Sequence, residues 1–224
     1  MTGTLNDIIT TLFGENTQTV DIVILLTILT LLPSILLMLT GFTRILIVLS
    51  FVRNALGMQQ TPPNQVLIGL ALFLTFFVMQ PVFDRVYNEA YTPFVEGEIA
   101  QDEFIESAMG PMREFMFKQV FESDLDFFTN ISEEEFLDEA SILNSVLIPA
   151  FLTSEIKHAF WIGFVIYIPF IVIDMIVAST LMAMGMMMLP PAMISLPFKV
   201  LLFVMIDGWQ LIIGSLVQTF YSTA

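Results

Sequence analysis

Five charged residues lie inside or beside long apolar stretches, where few water molecules can solvate them: Glu155, Lys157, Asp174, Lys199 and Asp207. A charge at the centre of a bilayer costs about 2.5–3.5 kcal/mol on insertion scales, so such residues pair, face water or mark a function. Glu155 and Lys157 could instead lie at the membrane interface, with their charged ends in water. Lys199 and Asp207 are too far apart to pair at the i,i+4 spacing of one helix. We therefore predict an ion pair between Glu155 and Lys199 of neighbouring subunits, with Asp174 and Asp207 as competing partners of Lys199.

Two arginines, Arg44 and Arg53, interrupt the first apolar half of the chain. Together with Asp174 and Asp207, they are further charges that we expect to be buried. Basic residues also indicate orientation, because cytoplasmic loops of membrane proteins are enriched in Lys and Arg. The turns beside Arg44, Arg53 and Lys199 are therefore predicted to face the cytoplasm, with the acidic part of the chain on the opposite side.

A methionine-rich segment, LMAMGMMMLPP, occupies residues 181–191. Methionine is unbranched and flexible, so a cluster can close around irregular shapes. Gly185 on one side and Pro190 and Pro191 on the other favour a loop with hinge residues at its ends. We predict a gasket at a hairpin tip, and the alternative is a patch that fills gaps in the core. The gasket residues are Met184, Met186, Met187 and Met188.

The residue types that carry most enzyme chemistry are scarce. His158 is the single histidine and cysteine is absent, so one chain cannot build a His-paired nucleophile or a two-histidine metal site. The sequence contains no Gly-rich phosphate-binding loop. The three consecutive glutamates Glu133–Glu135 lack the alternating spacing of a calcium-binding loop. We therefore expect no enzyme activity, no metal and no cofactor, and a structural or transport function.

Composition points to a membrane protein with one acidic soluble part. Of the 224 residues, 56% are hydrophobic and only 13% charged, where soluble domains carry about 25% charged residues. The net charge is −15, and the stretch from Asp84 to Glu139 holds 16 acids and 3 bases. A nucleic-acid binder needs a basic face, and a disordered chain lacks this much apolar surface, so both classes are excluded.

The acidic stretch divides the chain into four predicted parts. Residues 1–20 form an amphipathic segment, 21–86 a first hydrophobic helical hairpin, 87–148 an acidic helical insert and 149–224 a second hydrophobic hairpin. Prolines such as Pro81 and Pro169 are expected to limit or break the apolar helices. The predicted fold is all-α, with broken-helix hairpins that face neighbouring subunits at least as much as lipid. One apolar face is predicted in the insert, formed by Ile105, Ala108, Met109, Met112, Met116 and Val120.

Long strings in both apolar halves resemble the FliP family of type III export-gate proteins. In the first half the string is RNALGMQQTPPNQVLIGLALFLTFFVMQP (53–81). In the second half they are TSEIKHAFWIGFVIYIPFIVIDMIVAST (153–180), LMAMGMMMLPPAMISLPFK (181–199) and DGWQLIIGSLVQTFY (207–221). The DGWQL ending and the large acidic insert resemble the flagellar branch of the family.

The resemblance implies a ring-like or helical assembly of about five copies with FliQ and FliR, beside the export-apparatus membrane proteins FlhA and FlhB. Through it, unfolded flagellar proteins would leave the cytoplasm. The implied location is the bacterial inner membrane at the flagellar basal body, with the assembly protruding to the periplasmic side. Family members often carry a cleavable signal peptide, so we expect this sequence to be a mature form.

Three alternatives stay open from the sequence. The chain could be the corresponding subunit of a virulence injectisome, which belongs to the same family. It could be an ion or solute transporter that uses Asp174 and Asp207 as intramembrane carboxylates. It could also be a scaffold that nucleates the basal body without conducting anything.

Overall fold

The structure, a computed structural model, describes residues 26–27, 30–31, 34–35, 37–132, 141–186 and 188–221. The chain divides into two units, Met1–Met38 and Leu39–Ala224. In the first unit the described residues are helical, and the predicted amphipathic segment 1–20 lies outside the described residues. The four-part division of the chain stays a prediction.

The described part of the second unit consists of helices and their connections, with no strand, which confirms the all-α prediction. A π-helical turn, Tyr87–Tyr91, continues directly from the helix Asn64–Val86. Positive φ angles at Gly57 (78°) and Gly97 (76°) follow the ends of two helices, where glycine adopts the left-handed conformation without strain. The α-helices are α1 (Phe42–Ala55), α2 (Asn64–Val86), α3 (Thr92–Glu96), α4 (Gln101–Gln119), α5 (Glu122–Ser132), α6 (Asn144–Ala183), α7 (Pro191–Met205) and α8 (Gly208–Gln218).

Several prolines lie inside helices, contrary to the sequence-based expectation. α2 continues through Pro81, α6 through Pro169, and α7 through Pro197. A proline inside a helix costs about 3 kcal/mol through one lost hydrogen bond and a steric clash. Ending the helix within an apolar segment would instead leave several backbone groups unpaired. The expected break is found at Pro190, directly before α7 begins at Pro191.

Within the described residues, two helical stretches are long and apolar enough to cross a membrane, by length and composition. They are Asn64–Glu96, which runs from α2 through the π-helical turn to α3, and α6 with its 40 residues. α7 and α8 meet these criteria only together, and a bend of 65° separates their axes. The apolar segments are thus helical and partly broken, as predicted.

Helix α1 supplies much of the core and packs along α6. The side chains of Ile45, Val48 and Leu49 on α1 are fully buried. The Phe51 ring lies edge-on to Phe160, with centroids 5.2 Å apart, and also contacts Tyr167. Gly163 of α6 faces that ring, and a methyl group there would overlap it. The close approach of the two helices therefore depends on a glycine.

The acidic insert packs against α6 through the second half of α4. Phe115 of α4 lies 5.9 Å from the ring of Phe151 on α6, and both are buried. Of the apolar face predicted for the insert, Met116 is fully buried whereas Ile105, in the first half of α4, is 56% exposed. The predicted face is thus buried only in part.

Candidate functional site: buried ion pairs and the methionine loop

The guanidinium of Arg44 on α1 is fully buried and binds the carboxylate of Glu155 on α6. Arg44 Nε donates to Glu155 Oε2 at 3.1 Å, and Arg44 Nη2 donates to Glu155 Oε1. Two parallel hydrogen bonds match the planar fork of arginine to a carboxylate. The pair therefore fixes the angle of α1 on α6 as well as neutralising two buried charges.

Arg44 also binds α4 and the residues that follow α8. Its Nη2 donates to Gln119 Oε1 at 3.0 Å, and its Nη1 donates to Thr219 Oγ1 at 3.3 Å. The guanidinium lies 4.2 Å from the centroid of the Phe220 ring, and Gln119 Nε2 donates to the Phe220 carbonyl at 3.1 Å. One side chain thus joins α1, α4, α6 and the C-terminal residues. The sequence indicated that Arg44 is buried but not these partners.

Lys199 of α7 is 5% exposed and binds Asp174 of α6. Its Nζ donates to Asp174 Oδ2 at 2.7 Å and to the carbonyl of Ala55, at the end of α1, at 3.2 Å. Ser195 Oγ donates to Asp174 Oδ1 at 2.6 Å. Asp174, which the sequence offered as a competing partner, is therefore the partner of Lys199 within the chain.

Glu155 and Lys199 are not brought together in one chain, because each has another partner. Arg44 holds Glu155, and Lys199 is held by Asp174. An ammonium group has three donors, and Lys199 uses two of them here. The side chain of Glu155 is 0% exposed. The packing around it would therefore have to open before Glu155 could contact a neighbouring copy. The predicted pair between subunits stays a prediction.

Arg53 and Asp207 are less buried than the sequence indicated. Arg53 is half-buried, and its Nη1 donates to the Pro62 carbonyl at 3.2 Å and to Asn64 Oδ1 at 2.6 Å. Asp207 is exposed in the single chain and adopts a left-handed conformation, with φ of 51°, between α7 and α8. Aspartate is among the few residues that tolerate this conformation. Burial of Asp207 would require another copy or a partner.

The methionine-rich segment spans the end of α6 and the connection to α7. Met184 is 63% exposed, Met186 42% and Met188 98%. Gly185 has a positive φ of 74°, and Met187 lies outside the described residues. These exposures do not match a patch that fills gaps in the core of the single chain. We call residues 184–190 the methionine loop.

A third ion pair, between Asp124 and Lys157, docks the insert onto α6, and it was not predicted from the sequence. Asp124 of α5, 3% exposed, accepts a hydrogen bond from Ser154 Oγ at 2.7 Å and binds Lys157 Nζ. Ser154 Oγ in turn accepts from the Phe121 backbone N–H at 3.0 Å. The available signal was Lys157 itself, a cation beside an apolar helix face that requires an anion.

An exposed charge cluster links α2 to α4. Glu114 accepts a hydrogen bond from Lys118 Nζ at 2.9 Å and also binds Arg85. The hydrogen bond from Arg85, followed by that from Lys118, lowers the pKa of Glu114 below its ordinary value. The stability that this contact contributes is therefore complete above the ordinary carboxyl pKa, and it is lost as the pH falls through the lowered pKa of Glu114.

The charged side chains described above hold the helices against one another. In the described part of the chain, no group of three or more His, Cys, Asp or Glu side chains is arranged to hold a metal ion. Arg44, Lys199 and Asp124 each join at least two helices through buried hydrogen bonds. The methionine loop takes part in none of these hydrogen bonds, and its exposed side chains are available for contact with another molecule.

Comparison with known proteins gives a consistent result. The model of the FliP family matches residues 25–216. Three similar proteins, each named "Flagellar biosynthetic protein FliP", come from Pectobacterium carotovorum subsp. carotovorum, Bacillus subtilis (strain 168) and Aquifex aeolicus (strain VF5). They are 58%, 54% and 45% identical over 92%, 91% and 92% of this chain, and the matches cover 80%, 92% and 88% of their own lengths. The chain therefore belongs to the FliP family.

Proposed function

We propose that this chain is a core subunit of the flagellar type III protein export gate. Several copies, about five, together with FliQ and FliR, surround the passage through which unfolded flagellar proteins leave the cytoplasm. The name shared by the similar proteins supports a role in flagellar biosynthesis. The observation that carries the proposal is the methionine loop, which presents exposed thioether side chains at the tip of the α6–α7 hairpin.

In this proposal the methionine loops of the copies meet at the narrowest point of the passage and seal it when it is idle. A ring of apolar side chains excludes hydrated ions by dewetting. Methionine, with three rotatable bonds, can yield to passing side chains of different sizes. Gly185, Pro190 and Pro191 act as the hinges of the loop. The gasket itself consists of Met184, Met186, Met187 and Met188.

The size of one chain supports a ring of copies. In the described part of the chain, helices about 10 Å in diameter, packed as α1 and α6 are, leave no passage for a polypeptide inside one copy. A ring also covers apolar side chains that one copy leaves exposed on α6 and α7, such as Trp161 and Phe198. We include the pair of Glu155 and Lys199 between neighbouring copies as part of this proposal.

The proposed location is the bacterial inner membrane at the flagellar basal body, beside FlhA and FlhB, with the assembly protruding to the periplasmic side. The two membrane-length helical stretches support a membrane location. The acidic insert, residues 87–148 with 15 acids and 2 bases, is placed outside the cytoplasm. The four-part division of the chain is kept in this proposal.

Replacing Met186, Met187 and Met188 by alanine tests the seal. Shorter side chains leave a wider, wettable constriction, so we expect ion conductance across the membrane to rise while the complex still assembles. The measurement is conductance of the purified complex in planar bilayers, alongside its mass in detergent. The matched control replaces Met175 and Met205, which are 66% and 75% exposed outside the loop, and should leave conductance unchanged.

Unchanged conductance in a correctly assembled triple variant would overturn the gasket. A rise in the control variant as large as in the loop variant would also overturn it, because any exposed methionine would then suffice. Export of flagellar proteins by cells that carry each variant separates a conduit from a scaffold. A scaffold without a passage would show no conductance in any variant.

A further inference from the structure

The end of α6 and the start of α7 form a hairpin whose tip is the methionine loop. The two arms run from Asp174 to Ala183 and from Pro191 to Lys199. Any movement of the loop must involve these arms, because the loop is attached to nothing else along the chain. The contacts between the arms therefore determine how firmly the loop is held.

Polar contact between the arms is concentrated at their root. Asp174 accepts hydrogen bonds from Ser195 Oγ at 2.6 Å and from Lys199 Nζ at 2.7 Å, one to each carboxylate oxygen. Among the described residues, no other side-chain hydrogen bond joins α6 to α7. Lys199 also binds the Ala55 carbonyl at 3.2 Å, which ties this root to the end of α1. We call Asp174, Ser195 and Lys199 the clasp.

Between the clasp and the loop, the arms enclose an open apolar hollow. Its volume is about 460 Å³, and it is lined by α6 side chains between Ile173 and Leu181 and by Ile194 and Phe198 of α7. Side chains that border empty space lack the dispersion contacts of a close-packed interface. The arms are thus weakly joined beyond the clasp, and their angle depends on it.

The three members of the clasp differ in their freedom to move. Ser195 is fully buried and Lys199 is 5% exposed, whereas the side chain of Asp174 is 39% exposed. Lys199 also donates to the Ala55 carbonyl at 3.2 Å, so it keeps one acceptor at the end of α1 when Asp174 leaves. Asp174 can exchange its two hydrogen bonds for water. Opening therefore consists of Asp174, with the end of α6, moving away from α7.

We infer that the clasp is a positioning device for the methionine loop: while Asp174 binds Ser195 and Lys199 the arms stay together, and its release lets them spread. This inference rests on the proposed function, because it assigns the hairpin to the gate. Ser195 and Asp174 act through the backbone of the arms and do not line the passage. The hollow provides the space into which the arms can shift.

Distances between spin labels on the two arms test the inference. The chain has no cysteine, so Ser179→Cys and Met193→Cys, both at exposed positions, introduce the only labelling sites. The full chain is purified in detergent and mixed with excess unlabelled chain, so that distances within one copy dominate. The clasp is opened by Asp174→Ala, by Ser195→Ala, or by Asp174→Ala with Lys199→Met, which leaves no unpaired charge. The control is Asp207→Asn, which removes an exposed charge outside the clasp with a residue that tolerates the left-handed conformation.

The expected result is a shift of the mean label distance to longer values, with a broader distribution, in the clasp variants and not in the control. The double variant should show the largest shift, and Ser195→Ala, which keeps the ion pair, the smallest. An unchanged distribution in Ser195→Ala and in the double variant would overturn the inference, even if Asp174→Ala alone misfolds. A shift of equal size in Asp207→Asn would overturn it as well.

The same variants separate this inference from the proposed gate. If the clasp variants widen the label distance and raise idle conductance, the clasp positions a seal. If they widen the distance while the alanine replacement of Met186–Met188 leaves conductance unchanged, the clasp is supported and the gasket is overturned. If the distance stays unchanged while that replacement raises conductance, the gasket is supported and the clasp is overturned.

Discussion

At the scale of single residues, Arg44 is the group on which most of the packing converges. Its guanidinium is fully buried and binds Glu155, Gln119, Thr219 and the ring of Phe220. Removing one partner of a buried ion pair leaves an uncompensated charge, at a cost of about 3–5 kcal/mol. The contribution of Arg44 is therefore best measured by the loss of stability when Arg44 is replaced and Glu155 stays buried without its partner.

We expect Arg44→Gln to lower the free energy of unfolding by about 3–5 kcal/mol, because Glu155 is left charged and buried. Arg44→Lys keeps the charge but not the bidentate geometry, so its effect should be intermediate. The control is Arg85→Gln, which breaks an exposed pair worth less than about 1 kcal/mol. Denaturant unfolding of the full chain in detergent measures all three. A loss for Arg44→Gln no larger than that for Arg85→Gln would contradict the expectation.

The predicted contact between Glu155 and Lys199 of neighbouring copies can be tested by charge reversal. Glu155→Lys and Lys199→Glu should each impair ring assembly, and the double reversal should recover part of it. The matched control is Arg44→Glu with Glu155→Arg, which reverses the pair seen inside the chain. Recovery in the control, with additive damage in the double reversal of Glu155 and Lys199, would contradict contact between copies. Assembly is measured by native mass spectrometry.

At this scale the sequence indicated the charged residues and offered Asp174 as one partner of Lys199, but it did not indicate that Arg44 pairs with Glu155. Arg44, Glu155, Asp174 and Lys199 stand out because charge in an apolar stretch is costly. Arg44 and Glu155, however, are 111 positions apart in sequence. Spacing rules apply within one helix, and the docking of α1 on α6 is a tertiary contact that no local pattern encodes. Asp124, in an already acidic segment, carried no distinguishing signal.

At the scale of helices, apolar composition predicted their existence better than their ends. The turns at Gly57 and Gly97 and the start of α7 at Pro191 follow local rules. The continuation of α2 through Pro81 and of α6 through Pro169 does not, because the apolar setting makes a helix end costlier than a proline. Helix limits in such a chain depend on surroundings as well as on residue type.

Gly163→Ala should weaken the packing of α1 on α6. A methyl group at Gly163 would overlap the ring of Phe51, and overpacking of this kind costs about 1–3 kcal/mol. The control is Gly69→Ala in α2, where a methyl group meets nothing within 4 Å and should stabilise by about 0.5–1 kcal/mol. Thermal unfolding of the full chain in detergent should shift downward for the first variant and not for the second. Equal shifts would mean that the glycine contact does not limit the approach.

At the scale of the whole molecule, the single chain exposes more apolar surface than water tolerates. Along α6, Phe160, Trp161 and Phe164 are 56%, 69% and 59% exposed. Exposed apolar patches of this kind mark contact with lipid or with other proteins. Asp174 lies on the same helix, and its side chain is 39% exposed. Contact with lipid alone would place this charge in hydrocarbon, which favours protein neighbours for at least part of the surface.

Native mass spectrometry in gentle detergent should therefore show the chain as an oligomer, alone or with FliQ-like and FliR-like chains. Phe164→Glu places a charge on the exposed face of α6 and should reduce the oligomer in favour of smaller species, because a charge is costly to bury between apolar surfaces. Ile105→Glu is the matched control, since Ile105 is 56% exposed on α4 in the acidic insert and should leave the mass unchanged. A monomer of the unmodified chain that still supports export would contradict the assembly. Equal behaviour of the two variants would move the contact between copies away from this face of α6.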